Sequence, residues 1–377
     1  MHNITETVVG IIGDGQLALM LAEALHKKGI QFCCLCTSDA SPMKRVFPDN
    51  TTQDKHLFQQ SATIYTLESE FFTTTELEHL LKAKTNKLFP DIKSYSCFAD
   101  KISQRRLYDR LGLASPKWQA ILTEDDLVFI KKHFPYPFIL KASQGGYDGK
   151  GVREVKNEDE LNLGLKDFGF HEGNPLLVEE KVKLKKEVAQ GFIRNARGDR
   201  SLLPLVDTVQ KDGVCNLVYY PAEVSVNVKA QIQSILDTLC HYPLIGIFNF
   251  EFFIDQNDHV TINEGAPRPH NSQHLTVDAS DYSQFDLLAM YLSDEVYLPE
   301  NLETLPSAMI NILGQSTGND YQLTLPSVDS KFKVYPKLYA KEKCLPGRKM
   351  GHVNIISQTD DNELKQAAEK ILMEYKI

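Results

Sequence analysis

Lys141-Ala142-Ser143-Gln144-Gly145-Gly146-Tyr147-Asp148-Gly149-Lys150-Gly151 carries four glycines in its last seven residues. A tight hairpin needs fewer, and each extra glycine costs chain entropy. The excess suggests a mobile loop whose backbone amides close over phosphate oxygens. Lys141 ends a predicted strand over 138–142 and Lys150 lies inside the loop, so both can neutralise polyphosphate charge. No Gly-Lys-Ser/Thr opens a helix here, so this is not a Walker loop. Spacing leaves a flexible surface hairpin open as the alternative.

Toward the C-terminus, predicted strands over 247–254 and 260–263 flank Asp255-Gln256-Asn257-Asp258 and read as a hairpin. If those residues form the turn, Glu251 lies opposite Ile262. Glu264 is then its diagonal neighbour on the same face, about 7–8 Å away. Converging carboxylates repel each other, and a divalent cation between them removes the penalty. Hard oxygen ligands suit magnesium, and Asn263 can add another oxygen. Two solvated carboxylates on an open sheet face are the alternative, although Phe248, Phe250, Phe252 and Phe253 mark the hairpin as largely buried.

The same stretch continues as Asn263-Glu264-Gly265-Ala266-Pro267-Arg268-Pro269-His270-Asn271-Ser272. Prolines on both sides of Arg268 fix its backbone. A stiff loop directly after a metal carboxylate can aim Arg268, His270 and Asn271 at an anion; a rigid surface loop is the other reading. Further on, Pro346-Gly347-Arg348-Lys349-Met350-Gly351-His352, with Lys341 upstream, reads either as a phosphate-binding turn or as a solvated basic one.

Toward the N-terminus, a strand over 8–12, a helix over 17–28 ended by Gly29, and a strand over 30–35 make a βαβ unit, which implies a parallel sheet. The turn Gly13-Asp14-Gly15-Gln16 can bring backbone close to a phosphate at a helix N-terminus. Ala18 replaces the third glycine of a dinucleotide fingerprint, so a cradle and a merely tight turn both stay open. Around Asp100 the pattern changes: a polar helix over 102–111 ends at Gly112, and Ser115-Pro116 breaks the chain, so a unit boundary is expected here. Strands are expected over 176–182 and 188–194, and helices over 285–292 and 362–375.

A chain of 377 residues is too long for one ordinary core. Its 42% hydrophobic and 24% charged residues fit a globular protein. No segment reaches the ~18 uncharged apolar residues of a membrane helix. Residues 1–9 carry Glu6 and no lysine or arginine, unlike a signal peptide, so a cytoplasmic location and no membrane partner are expected. A net charge of −9 argues against a nucleic-acid partner. Cys33, Cys34 and Cys36 lie in an apolar run with no second cysteine pair or nearby histidine, which favours a buried strand over a zinc site.

The three motifs, Gly145 through Gly151, Asn263 through Ser272 and Pro346 through His352, stand in the order found in 5-(carboxyamino)imidazole ribonucleotide synthases, and Asp14-Gly15-Gln16-Leu17 resembles that family's glycine-rich opening. The resemblance spans almost the whole chain. It implies an ATP-grasp fold of mixed α/β and α+β class: an N-terminal Rossmann-like lobe (1–104), a central ATP-grasp lobe (105–296) and a small C-terminal lobe (297–377), assembled as a homodimer. It also implies a reaction of purine biosynthesis. ATP, with Mg2+, phosphorylates bicarbonate to carboxyphosphate, and the exocyclic amine of 5-aminoimidazole ribonucleotide takes the carboxyl group.

Carried over by position, Lys101 and Lys141 resemble ATP contacts, and Gly146, Tyr147, Asp148, Gly149, Lys150, Gly151 and Val152 the phosphate-covering loop. Glu179, Glu180, Lys181 and Val182 resemble the adenine-binding hinge, Glu187 the ribose-hydroxyl acceptor, and Gln210, Asn263 and Glu264 further ATP contacts. Glu251 and Glu264 resemble the metal ligands. Gln16, Leu17, Glu68, Tyr147, Arg268, His270, Asn271, Lys341 and Arg348 resemble the substrate side of the cleft. Tyr147, Asp148, Lys150, Arg268 and His270 resemble catalytic groups, and Glu68 and Glu70 the acidic pair that ends an N-lobe strand. The sequence departs from the pattern at Phe71, at Lys181-Val182-Lys183-Leu184, at Asp207, Thr208 and Gln210, at Leu345 and at Asp14. A related ATP-grasp enzyme with another acceptor and a degenerate nucleotide-binding regulator are the rival readings; Glu251 and Glu264 argue against the second. Ala18 and everything after Lys141 argue against a dinucleotide oxidoreductase.

Overall fold

The computed structural model describes residues 7–146, 151–211, 213–294, 298–358 and 362–377. Tyr147, Asp148, Gly149 and Lys150 lie outside the described residues, as does Val296, where the second unit is expected to end.

The elements up to Phe89 build the expected parallel sheet. Its strands run in the order Thr51–Thr52, Gln31–Leu35, Val8–Ile12, Ile64–Leu67, Leu88–Phe89, all parallel. Helix Gln16–Lys27 buries Ala18, Leu19, Leu21, Ala22 and Leu25. This is more than one amphipathic stripe, because the apolar helix Gln284–Leu292 from far along the chain shares its core. Helix Lys101–Leu111 then leads away from the first sheet. Asp100 caps its N-terminus by accepting from the Ser103 amide, and Gly112 ends it in the left-handed conformation. The boundary expected at 104/105 therefore falls within a helix.

A small antiparallel sheet follows, ordered Trp118–Ile121, Leu176–Glu180, Phe138–Ala142, Val152–Val155. Helices Glu124–His133 and Glu158–Asp167 cover it through Leu127, Ile130, Leu161 and Leu165. Thr123 and Asp126 close a capping box on the first helix, whose acidic first turn and basic last turn both suit its dipole.

The largest sheet has nine strands. Its main path runs Val260–Ala266, Gly246–Asp255, Leu184–Arg194, Val206–Lys211, Val214–Tyr220, Ser307–Leu313, Lys349–Ile356, Lys333–Leu338, and Arg200–Leu202 pairs off Leu184–Arg194. Phe192, Phe248, Phe250 and Phe252 are fully buried with the apolar side of helix Val226–His241. Strand Ser307–Leu313 pairs antiparallel with Val214–Tyr220, so the C-terminal strands extend the same sheet that carries the carboxylate hairpin. The motif's strand Lys349–Ile356 stands five places from Gly246–Asp255 along the sheet, and the loop after the hairpin reaches its neighbouring strand through the Asn271–Asn311 pair.

Candidate active site

The hairpin places Glu251 directly opposite Glu264, not diagonal to it. From the turn, Ile254 pairs with Val260, Phe253 with Thr261 and Phe252 with Ile262; Asn263 is then an extra residue, and the next pair is Glu251 with Glu264. A bulge of this kind shifts register by one and re-aims side chains, which an even alternation could not foresee. Asn263 uses its new direction at both ends: Nδ2 donates to Glu251 Oε2 at 3.3 Å, and Oδ1 accepts from Lys141 Nζ at 3.1 Å. Burial, and then the charge of Glu264, push the Glu251 carboxyl up. Lys101 Nζ lies 2.5 Å from Glu264 Oε1. Two opposed carboxylates with this mutual repulsion fit a divalent cation of the magnesium type. Among the described residues no group of three or more His, Cys, Asp or Glu could hold a metal alone, so phosphates and water would complete the set.

Helix Lys101–Leu111 turns one face to this hairpin. Lys101 meets Glu264, Gln104 Oε1 accepts from Gly265 N at 2.9 Å, and Arg105 Nη2 donates to Asn263 O at 2.6 Å. Arg105 Nε also donates to Glu179 Oε1 at 2.6 Å, while Lys141 Nζ lies 2.7 Å from Glu179 Oε2. Glu179 side chain is 2% exposed. Burial raises its carboxyl, but Lys141 and Arg105 overcome this and hold it below the usual range. Its carboxylate is thus shared between these two cations. The rest of that segment is engaged on the surface: Glu180 with Lys117 at 3.3 Å and Lys181 with Glu154 at 2.8 Å. Glu187 faces Thr208 on one side and Phe253 on the other. Burial, then the charge of Glu251, raise it to about 7. Gln210 lies on the neighbouring strand Val206–Lys211. Gln104 and Arg105 escaped the sequence reading. Their signal was the i, i+3, i+4 spacing from Lys101 on a polar helix.

The proline-flanked loop reaches back to the first sheet. Arg268 grips Glu70 with Nε on Oε2 and with Nη2 2.9 Å from Oε1, and Nη1 donates to Pro269 O at 3.2 Å. Asn249 Nδ2 holds the Arg268 carbonyl at 2.9 Å. Burial alone would raise the Glu70 carboxyl; the Arg268 charge and hydrogen bonds reverse this and hold it at about 2. His270 Nδ1 accepts from Ser272 N at 3.3 Å, so its ring proton belongs on Nε2, which lies 3.7 Å from Glu251 Oε1. Burial, then Arg268 and Lys349, depress the imidazole to about 3, so it is neutral at physiological pH. Asn271 departs from the expectation of an anion contact. Its amide and that of Asn311 bond each other reciprocally, at 2.9 and 2.6 Å, because a buried amide needs partners.

The N-terminal turn is closed by a carboxylate. Glu68, expected on the substrate side, folds its carboxylate over the start of helix Gln16–Lys27 and accepts from Gly15 N at 2.6 Å and Ala18 N at 3.1 Å. The anion at this helix N-terminus is the chain's own. Gly13 permits this: its φ is +111°, and a Cβ there would collide with Glu68. Leu17 packs on the core beside the half-buried Gln16. In the C-terminal motif Lys341 is buried, with its carbonyl accepting from the Tyr321 hydroxyl, and Arg348 is exposed with Nη1 2.9 Å from Lys343 O. From this motif, the charge that reaches Glu251 and His270, beside those of Glu264 and Arg268, is that of Lys349, which the sequence reading did not single out.

A fold of this kind, with a carboxylate hairpin braced by lysines, defines an ATP-grasp protein. The ATP-grasp domain model matches residues 106–285, and the phosphoribosylaminoimidazole carboxylase C-terminal domain matches 307–367. The N5-carboxyaminoimidazole ribonucleotide synthase of Staphylococcus aureus (strain COL) is 30% identical over 95% of this chain and 94% of its own length. The chain belongs to that family. Phosphoribosylaminoimidazole carboxylases of Schizosaccharomyces pombe and Ogataea methanolica are 31% and 32% identical over 93% of the chain, which spans only 65% and 66% of their length. The crystal structure of the Staphylococcus aureus synthetase complexed with ADP superposes with a TM-score of 0.82 at 25% identity, covering 97% of both chains. The Aspergillus clavatus synthase in complex with ADP and 5-aminoimidazole ribonucleotide superposes at 0.81, also 25% identical, covering 98% of both. Among the described residues no helix is long and apolar enough to cross a membrane.

Proposed function

We propose that this chain is an ATP-dependent ligase that carboxylates the exocyclic amine of 5-aminoimidazole ribonucleotide with bicarbonate, in the cytoplasm and as a homodimer. The observation that carries the reading is the arrangement of Arg268 and His270, which follow the opposed Glu251–Glu264 pair in sequence and stand between it and the first sheet. In this reading the acceptor side adjoins the metal-and-phosphate side.

In this reading Glu251 and Glu264 would hold Mg2+, which would offset polyphosphate charge. Lys101 and Lys141 would neutralise the same phosphates. A bicarbonate oxygen attacks the γ-phosphorus, the bond to ADP breaks, and carboxyphosphate forms. The amine nitrogen then attacks the carboxyl carbon, phosphate leaves, and the amine gives up one proton. Neutral His270 presents an N–H at Nε2 and can hold a carboxyl oxygen. Arg268 keeps a further N–H on each of Nη1 and Nη2 for the anion while Glu70 fixes its plane. Lys341 and Arg348 would take the ribonucleotide phosphate.

The test is ADP release with bicarbonate, with and without 5-aminoimidazole ribonucleotide, together with transfer of labelled bicarbonate carbon to the ribonucleotide. Release that ignores the ribonucleotide, with no label transferred, would redirect the reading to another ATP-grasp acceptor.

A further inference from the structure

The geometry points to Gln284 as a positioning residue that holds the His270 peptide, and through it the imidazole, in its working orientation. This inference rests on the substrate-side reading of His270 given above.

Gln284 is fully buried at the start of helix Gln284–Leu292. The helix start is itself locked: Ser283 and Asp286 form a capping box, and the Gln284 amide donates to Thr276 Oγ1 at 3.0 Å. From this fixed base the side chain reaches across to one residue of the loop and grips it at both ends. Oε1 accepts from His270 N at 2.8 Å, and Nε2 donates to His270 O at 2.9 Å. The other Nε2 hydrogen faces His274 Nδ1 at 3.0 Å. Donors and acceptors match in one orientation only. Turning the amide over would set its oxygen against the His270 carbonyl and its NH2 against the His270 N–H.

A buried amide with every group satisfied by one neighbouring loop is costly to assemble and costly to disturb. Here its effect is specific. His270 Nδ1 is held by Ser272, two residues away, so the direction of Nε2 toward Glu251 follows from where the 270–272 backbone lies. Gln284 sets that backbone. The helix it opens also packs in the same core as Gln16–Lys27, so the clamp ties the imidazole to the junction with the first sheet.

The test uses the full chain with Gln284→Met, which keeps the shape and removes the hydrogen bonds, and Gln284→Glu, which keeps only the acceptor at neutral pH. Circular dichroism and thermal melting establish folding, and Gln284→Glu is read alone if Gln284→Met does not fold. Both variants should lower kcat by about tenfold or more, the scale of losing the neutral hydrogen bonds that each removes, with KM for ATP unchanged. His270→Ala should be impaired, and adding Gln284→Met to it should cost no further activity, since the second residue acts through the first. A folded variant with wild-type kcat, an additive double mutant, or KM for ATP rising as kcat falls overturns the inference. An impaired His270→Ala beside a normal Gln284→Met overturns it while sparing the reading of His270. A fully active His270→Ala overturns both.

Discussion

Arg268 and Glu70 form a two-pronged ion pair that ties the loop after the carboxylate hairpin to the first sheet, with Nη2 2.9 Å from Oε1 and Nε on Oε2. Each side chain is only 17% exposed, so neither charge has water as a ready substitute. Glu70 is held at about 2, against an ordinary 4.5. A folded value below the unfolded one means stability that is complete above pH 4.5 and is lost as pH falls toward 2. The size is on the order of 3 kcal/mol. Glu70→Gln should therefore be less stable at neutral pH, and its urea midpoint should fall less steeply through the acid window than the parent's. Parallel pH profiles would show that the pair adds nothing.

Glu264→Gln tests the metal site. The substitution removes a partner from Lys101 and a like charge from Glu251, two effects of opposite sign on stability. The fold should survive, with a melting temperature close to the parent's. Binding of Mn2+ in the presence of ADP, followed by electron paramagnetic resonance, should be lost, and ATP turnover with it. Intact metal binding would remove Glu264 from the ligand set.

Much of this architecture was legible because period and punctuation agree with it. Strands Val8–Ile12 and Phe138–Ala142 follow the apolar runs residue for residue, and Gly112 stops its helix as a left-handed cap. What stayed hidden is long-range or one residue out of step. The bulge at Asn263 cannot be read from alternation, because only the partner strand and Lys141 decide which way that residue turns. Glu70 meets Arg268 across 198 positions, and Arg105 meets Glu179 across 74. Nothing local separates such buried charges from solvated ones. The contact of Glu68 with the Gly15 amide spans 53 positions and was hidden for the same reason.

Glu179 neutralises two buried cations at once, Arg105 and Lys141. Glu179→Gln would leave both without their counter-charge in an interior with little water. Breaking such a pair from one side typically costs about 3–5 kcal/mol. Chemical denaturation should show a loss of that order, and adding Lys141→Met should recover part of it, since one stranded charge is then gone. If instead Glu179→Gln kept full stability and only weakened adenine recognition, the carboxylate would belong to the base and not to Lys141.

Arg348 separates the acceptor side of the cleft from the ATP side. Its turn is braced against the end of strand Ser307–Leu313: Gly347 N donates to Gly314 O at 2.9 Å, and Gly314 N donates to Arg348 O at 2.8 Å. The next residue, Lys349, already acts electrostatically on Glu251 and His270, so the turn borders the same cleft. The guanidinium is exposed and uses Nη1 on the Lys343 carbonyl, which orients the planar group while leaving donors for a phosphate. Loss of a charge-assisted contact to a bound anion typically costs about 2–5 kcal/mol when the partner charge stays buried. Partial exposure of this turn argues for the lower end. Arg348→Ala should therefore raise KM for 5-aminoimidazole ribonucleotide by roughly tenfold or more, at 1.4 kcal/mol per factor of ten. KM for ATP should be unchanged. Arg348→Lys should recover only part of the loss, because a point charge cannot make the fork. Raising ionic strength should narrow the gap between parent and variant, since exposed charges are screened. A variant whose ATP constant rises while the ribonucleotide constant holds would place this turn on the nucleotide side, and the phosphate of the acceptor would need another partner.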